Sequence, residues 1–122
     1  MVKIKRAYEK ASRSDGYRVL VDRLWPRGIK KEALPLALWA KDVAPTPELR
    51  RWFGHDPARF HEFARRYHAE LRTGSARAIL NELTQRAARG TVTLVYGARD
   101  EEHNGAVVLR DAIDDVLREH AR

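Results

Sequence analysis

The chain has 122 residues, of which 43% are hydrophobic and 34% are charged, and it contains no cysteine. This length and composition predict one soluble globular domain, and no apolar run approaches the ~20 residues of a membrane-spanning helix. The lack of cysteine excludes thiolate nucleophiles, cysteine-based zinc sites, iron–sulfur clusters and disulfides. The formal net charge of +7 favours anionic partners. Acidic residues are interleaved with the basic ones, however, and an ordinary solvated surface explains the charge more simply.

The first predicted element is a strand at residues 2–8, where apolar and charged residues alternate. The N-terminus lacks the apolar centre of a signal peptide, so we expect a cytoplasmic protein with no membrane partner. Asp15-Gly16 then marks a turn. Residues 17–25 form a second predicted strand, whose apolar centre is typical of an interior strand covered on both faces. Residues 29–44 show only a weak pattern, in which a proline interrupts any long helix.

Two pairs of a capping residue and a proline, Thr46-Pro47 and Asp56-Pro57, predict the first turns of two helices. The second of these helices carries an apolar stripe at a period of 3.6 residues. Glycines are expected to end the two helices, at Gly54 and Gly74.

The last third of the chain returns to a strand and a helix. Ser75 is predicted to cap a third helix that ends at Gly90. Residues 91–96 form the second strong strand, and Asn104 is the predicted cap of the last helix. The order β-β-α-α-α-β-α predicts a small single α/β domain over residues 1–122, with a parallel central strand pair and helices packed on the sheet.

This fold predicts where a site would lie. In open α/β sheets, ligands bind beyond the carboxyl ends of parallel strands. The loops at residues 22–28 and 96–100 follow the two strong strands, so they converge if these strands are parallel neighbours. Together with the free N–H groups at the start of the last helix, their arginines would suit a phosphate, sulfate or carboxylate.

The candidate site residues belong to these two loops and their surroundings. Candidate acids or bases are the two carboxylates and the phenol, Asp22, Asp100 and Tyr96. Candidate ligand-binding residues are Arg23, Trp25, Arg27, Gly28, Lys41, Arg99 and Asn104. Several unlike polar groups at two strand ends favour a functional role for the cluster, since burying them without purpose is costly.

Each residue taken alone also has a structural interpretation. Asp22 could accept hydrogen bonds from the following turn, Arg27 could pair with Asp100, and Trp25 could plug the core. The two aspartates could hold Mg²⁺, but the surrounding arginines oppose this, and the histidines share no helical face, so we predict no metal site. The dinucleotide and P-loop glycine motifs are absent, which leaves any cofactor unknown. The loop "GARDEEHNG" also lacks the cysteine that thiol phosphatases and rhodaneses carry there.

Three long stretches together resemble the YeaO-like proteins of the domain-of-unknown-function 488 (DUF488) family. They are "SDGYRVLVDRLWPRGIKKEAL", "LWAKDVAPTPELRRWFGHDPARFHEFARRYHAEL" and "VTLVYGARDEEHNGAVVL", and "DGYRxLVDRLWPRG" is the most specific motif. The resemblance covers nearly the whole chain, with arginine at position 99 where relatives often have lysine. It implies a bacterial or archaeal cytoplasmic α/β domain and no particular activity.

Three functions are therefore compared. The first is a small domain that binds, and could act on, an anionic small molecule at the strand ends. The second is a basic module that binds nucleic acid or regulates without catalysis, with an affinity that falls steeply with salt. The third is a protein-interaction domain, which full mutual pairing of the strand-end residues would favour. We favour the first.

Overall fold

The computed structural model describes residues 1–121, which form one mixed α/β domain. Four parallel strands in this part of the chain form a sheet in the order β1-β4-β2-β3, and four α-helices accompany it. The strands are β1 Val2–Arg6, β2 Tyr17–Leu20, β3 Leu38–Trp39 and β4 Val92–Tyr96. The helices are α1 Pro47–Phe53, α2 Phe60–Glu70, α3 Gly74–Arg89 and α4 Gly105–His120. The predicted fold class is confirmed.

The predicted parallel pair is present at the centre of the sheet. β2 and β4 are neighbours, and Val19 lies opposite Leu94 in their register. β1 pairs with the other side of β4, so that Arg6 lies opposite Tyr96. The carboxyl ends of β1, β4 and β2 therefore meet at one edge of the sheet.

The second strand ends earlier than the sequence predicts, at Leu20 instead of residue 25. The last backbone hydrogen bond between this segment and β4 runs from the N–H of Val21 to the carbonyl of Val95. Beyond it, side chains take part in the hydrogen bonds that hold the chain. The indole of Trp39 donates to the carbonyl of Asp22, whose carboxylate accepts from the N–H of Gly97. These side-chain bonds hold the chain at the sheet edge without extending the strand.

The short strand β3 was not predicted. It has two residues, and its hydrogen bonds to β2 come from the flanking N–H groups of Ala37 and Ala40. Two residues are too few to show an alternating pattern. The parallel pairing with β2 depends on long-range contacts that the weak pattern of residues 29–44 does not reveal.

The helix caps agree with the sequence at Thr46, Gly54 and Asn104, and they differ at Gly74 and Ser75. Thr46 and Asn104 accept hydrogen bonds from the first turns of α1 and α4, and Gly54 ends α1 in the left-handed conformation. The bonds of Asp56 cap a 3-10 turn that leads into α2. Helix α3 begins at Gly74 after an N-cap at Thr73, so the predictions of Ser75 as its cap and of a helix ending at Gly74 are wrong.

The two faces of the sheet are covered differently. On one face, α3 and α4 pack on the strands, and all four helices contribute to the main core around side chains such as Val19, Leu94 and Tyr67. The opposite face carries a smaller core around Leu20 and Val95, which residues 25–36 cover. The interior strands are thus buried on both faces, as predicted.

Within residues 1–121, no helix combines the length and the apolar character that crossing a membrane requires.

Candidate functional site

A cavity of about 400 Å³ opens where the strand ends meet. Its lining comes from three places in the chain that the sheet order brings together, at residues Arg6, Tyr8, Arg27, Gly97 and Arg99. Parallel pairing accounts for this convergence, because each loop leaves the sheet at the same edge.

Arg6 and Tyr8 hold the two neighbouring loops in place. Arg6 donates from Nε to the carbonyl of Ala98 at 2.8 Å and from Nη2 to that of Gly97 at 3.4 Å. The Tyr8 hydroxyl donates to the carbonyl of Arg27 at 2.8 Å. The Arg6 guanidinium also lies 4.9 Å from the centre of the Tyr8 ring. The end of β1 therefore fastens the loop after β4 and the loop after β2.

The charge of this cavity is positive. Within the described part of the chain, the guanidinium groups of Arg27 and Arg99 form no ion pair. The guanidinium group of Arg6 donates hydrogen bonds only to neutral carbonyls. No acidic residue of that part lines the cavity. Three guanidinium groups thus surround one opening, and nothing in its lining neutralises them.

Asp22 links the two central loops. Its Oδ2 accepts from the N–H of Gly97 at 2.8 Å. Burial raises the pKa of this carboxyl, while the Gly97 hydrogen bond and the charges of His55 and Arg50 act in the opposite direction. A Cβ on Gly97 would be in van der Waals contact with the same oxygen, at 3.4 Å.

Asp100 shapes the turn into α4. Its Oδ1 accepts from the N–H groups of Glu102 and His103, and its Oδ2 lies 2.9 Å from His103 Nδ1. The Glu102 N–H bond lowers the pKa of Asp100 most, and the His103 bonds add to it. Asn104 donates to the carbonyl of Asp100 and caps α4. The alternative pairing of Arg27 with Asp100 does not occur.

The remaining candidates lie outside the cavity lining. Arg23 donates to the carbonyls of residues 44 and 45. The Trp25 indole donates to the carbonyl of Ile29, its ring meets Trp39 edge-on at 5.3 Å, and Lys41 lies over Trp39 at 4.0 Å.

Tyr96 is buried, and this burial raises the pKa of its phenol, as do the charges of Glu101 and Glu9, while the charge of Arg6 acts in the opposite direction. Gly28 lines a different groove, on the helix-free face of the sheet.

The structure therefore brings together Arg27 and Arg99 from the sequence candidates, and adds Arg6 and Tyr8. Sequence reasoning missed these two because it did not place β1 beside β4. A basic residue at the end of a short alternating strand was the available signal, but its use depends on knowing the sheet order. Across residues 1–121, no three histidine, aspartate or glutamate side chains are close enough to hold a metal ion.

Comparison with known proteins gives the family. A family model described as "Inactive DUF488-N3 subclade" matches residues 1–122. The chain belongs to this DUF488 subclade, and the resemblance of its motifs to the DUF488 family is confirmed. It is 42% identical over 110 residues to the uncharacterized protein YeaO of Escherichia coli (strain K12), covering 90% of this chain and 94% of YeaO. It is 45% identical over 113 residues to the uncharacterized protein Rv3073c of Mycobacterium tuberculosis (strain ATCC 25618 / H37Rv), covering 93% of each. No solved structure matches.

Proposed function

We propose that this protein binds an anionic small molecule, bearing a phosphate or carboxylate, in the cavity at the strand ends and leaves it chemically unchanged. The supporting observation is the set of three arginines, Arg6, Arg27 and Arg99, around one cavity of about 400 Å³. Small-molecule sites have volumes of about 300–1,000 Å³. The planar guanidinium group donates two parallel hydrogen bonds to a phosphate or carboxylate.

Binding without catalysis agrees with the positions of the candidate acids and bases. The Asp22 carboxylate is engaged by Gly97, and that of Asp100 by its own turn and His103. Tyr96 is buried in the main core. None of the three lines the cavity, so each lies outside the place where a bound anion would meet the arginines. The word "inactive" in the family description points the same way.

The first test is the double variant Arg27→Ala, Arg99→Ala, titrated with inorganic pyrophosphate by calorimetry at low ionic strength. Each lost charge-assisted hydrogen bond should weaken binding about tenfold. Both residues are exposed and outside the core, so the thermal midpoint should change by less than about 3 °C.

Arg77→Ala, Arg89→Ala is the matched control, because both are exposed arginines on α3 that do not line the cavity. It removes the same two charges and should leave the affinity unchanged. An equal loss in this variant would assign the binding to net charge. Wild-type protein that binds no pyrophosphate at millimolar concentration would contradict the proposal.

One observation supports nucleic acid as a second candidate ligand. Tyr8 is 48% exposed beside the three arginines, and an exposed ring next to basic groups can stack on a base. A single-stranded oligonucleotide should then compete with pyrophosphate, and its affinity should fall steeply with salt. Oligonucleotide binding that the Arg27→Ala, Arg99→Ala variant loses, together with tighter binding than pyrophosphate, would favour this alternative.

A further inference from the structure

A second, larger groove lies on the helix-free face of the sheet. It has a volume of about 690 Å³, and its walls are the segments 7–11 and 28–35. Arg18 of β2 lines it from the side of the sheet. Tyr8 is the one residue that it shares with the strand-end cavity among the residues described.

Arg18 is a buried cation with an unused donor. Its side chain is 7% exposed. Nε donates to the carbonyl of Pro35 at 2.7 Å, and Nη1 to Asp15 Oδ2 at 2.6 Å. Within residues 1–121, Nη2 is buried and has no hydrogen-bond partner. The large majority of buried polar side-chain atoms in proteins have a hydrogen-bond partner. Arg18 lines the groove, so a small shift of its guanidinium group would offer this unpaired donor to an acceptor there.

The charges around Arg18 do not balance. Asp15 is 1% exposed and forms ion pairs with both Lys5 at 2.8 Å and Arg18 at 2.6 Å. Two cations share one carboxylate, which leaves one positive charge without a partner in a poorly solvated place. Lys10 and Lys30 also line the groove and outnumber its one acidic residue, Glu9. An anion would complete this cluster.

The rest of the lining is largely apolar. Alanine, isoleucine, leucine and proline side chains contribute to it, among them Ala7, Ile29 and Leu34. A phosphate dianion would leave most of its oxygens without donors against these walls. A carboxylate attached to an apolar body matches both the positive cluster and the apolar walls of the groove. Its single negative charge lies near Arg18, and its hydrocarbon part is buried against the walls.

We propose that this groove is a binding site for an organic carboxylate, whose carboxylate accepts a hydrogen bond from Arg18 and whose apolar body packs against Ala7, Ile29 and Leu34. Apart from Tyr8, this site is lined by different residues from those of the strand-end cavity, and none of the residues named for binding the carboxylate lines that cavity. It therefore holds whether or not the strand-end cavity binds an anion.

The test compares hexanoate with hexanamide, which has the same chain without the charge, by ligand-observed NMR titration of the full chain. Hexanoate should bind at least about tenfold more tightly than hexanamide, because only hexanoate neutralises the cluster. Equal affinity for the two compounds would overturn the proposal.

Two variants locate the binding. Arg18→Lys keeps the charge but removes Nη2, and Ala33→Trp fills the groove from an exposed wall position without touching the ion pairs. Ala33→Trp should lose hexanoate binding, and Arg18→Lys should weaken it, because the charge remains but the unpaired donor is gone. If Arg18→Lys does not fold, Ala33→Trp still decides the question. Ala78→Trp, at an exposed position on α3, is the matched control and should bind normally.

The strand-end variant Arg27→Ala, Arg99→Ala separates the two proposals. It should bind hexanoate like the wild type, even though its pyrophosphate binding is lost. Loss of hexanoate binding in this variant, or its retention in Ala33→Trp, would place the carboxylate elsewhere and overturn the groove as its site.

Discussion

Replacing Gly16 with alanine is expected to destabilise the domain by about 3–5 kcal/mol, the largest effect expected among alanine replacements of its seven glycines. Gly16 has φ 62° and ψ −127°, a conformation that essentially only glycine adopts. A Cβ there would lie 2.3 Å from the carbonyl oxygen of Thr91 and 3.0 Å from the Thr91 Cβ. The contact with the carbonyl oxygen is shorter than any that a real Cβ atom makes, so the backbone would have to shift.

The backbone around Gly16 cannot move freely. The Thr91 carbonyl accepts from the N–H of Tyr17 at 2.9 Å, directly at the start of the β2–β4 pairing. Relief of the clash would therefore open the centre of the sheet. Urea denaturation of Gly16→Ala, followed by circular dichroism, measures the loss through the transition midpoint.

Gly74→Ala is the control, because Gly74 has φ 61° and a Cβ there would meet nothing within 4 Å. It shares the positive φ without the clash, so its cost should be about 1 kcal/mol. If both variants lose about the same stability, backbone conformation alone explains Gly16 and the contact with Thr91 is unimportant.

Local patterns predicted most of the fold, because the strongest elements carry their own markers. The apolar runs of β2 and β4, and the caps Thr46 and Asn104, are short-range features of the sequence. Strand β3 and the position of β1 beside β4 have no such marker. The formation of β3 and the pairing of β1 with β4 both depend on contacts between distant segments of the chain. A short stretch of sequence does not contain that information.

The same division applies to the strand-end site. Arg27 and Arg99 were predictable because each follows a strong strand. Arg6 joins them only through the parallel pairing of β1 with β4. Asp22 was a candidate acid, yet the structure uses its carboxylate to tie Gly97 to the end of β2. The type of a residue and its position at a strand end therefore predict that the residue lies near the strand-end site. They predict less well what its side chain does there.

The buried cluster of Lys5, Asp15 and Arg18 shows this limit most clearly. From the sequence, Asp15 is predicted to belong to an aspartate–glycine turn, and Arg18 is predicted to be a polar residue at the start of a strand. In the structure, Asp15 is almost fully buried, caps the 3-10 turn that precedes Gly16, and binds two cations. Its carbonyl also accepts from the Thr93 hydroxyl at 2.7 Å. The cluster therefore fixes the turn to both central strands.

Asp15→Asn should remove about 3 kcal/mol of stability at neutral pH, because it leaves Lys5 and Arg18 without their shared carboxylate. Its effect should also depend on pH. Burial raises the pKa of Asp15, but the hydrogen bonds from Lys5, from the N–H of Ser12 and from Arg18 outweigh burial and hold the pKa at about 2.

The folded-state pKa of Asp15 lies below its usual value of 3.8, so the charged carboxylate stabilises the folded state above that value. This contribution, about 2 kcal/mol, is lost as the pH falls through about 4 towards 2. The difference in unfolding free energy between the wild type and Asp15→Asn should therefore shrink by about that amount between about pH 5 and about pH 2. Urea titrations of both proteins across this range measure it.

Asp42→Asn serves as the control, since Asp42 is exposed and has no ion pair among residues 1–121. It should follow the wild-type pH dependence and cost less than about 0.5 kcal/mol. Other carboxylates also titrate in this range, but they contribute equally to all three proteins and cancel in the differences. The difference in unfolding free energy between the wild type and Asp15→Asn could instead stay constant down to about pH 2. That result would mean that the buried cluster does not hold Asp15 in its charged form. In that case the excess positive charge inferred for the groove beside Arg18 would have to be revised as well.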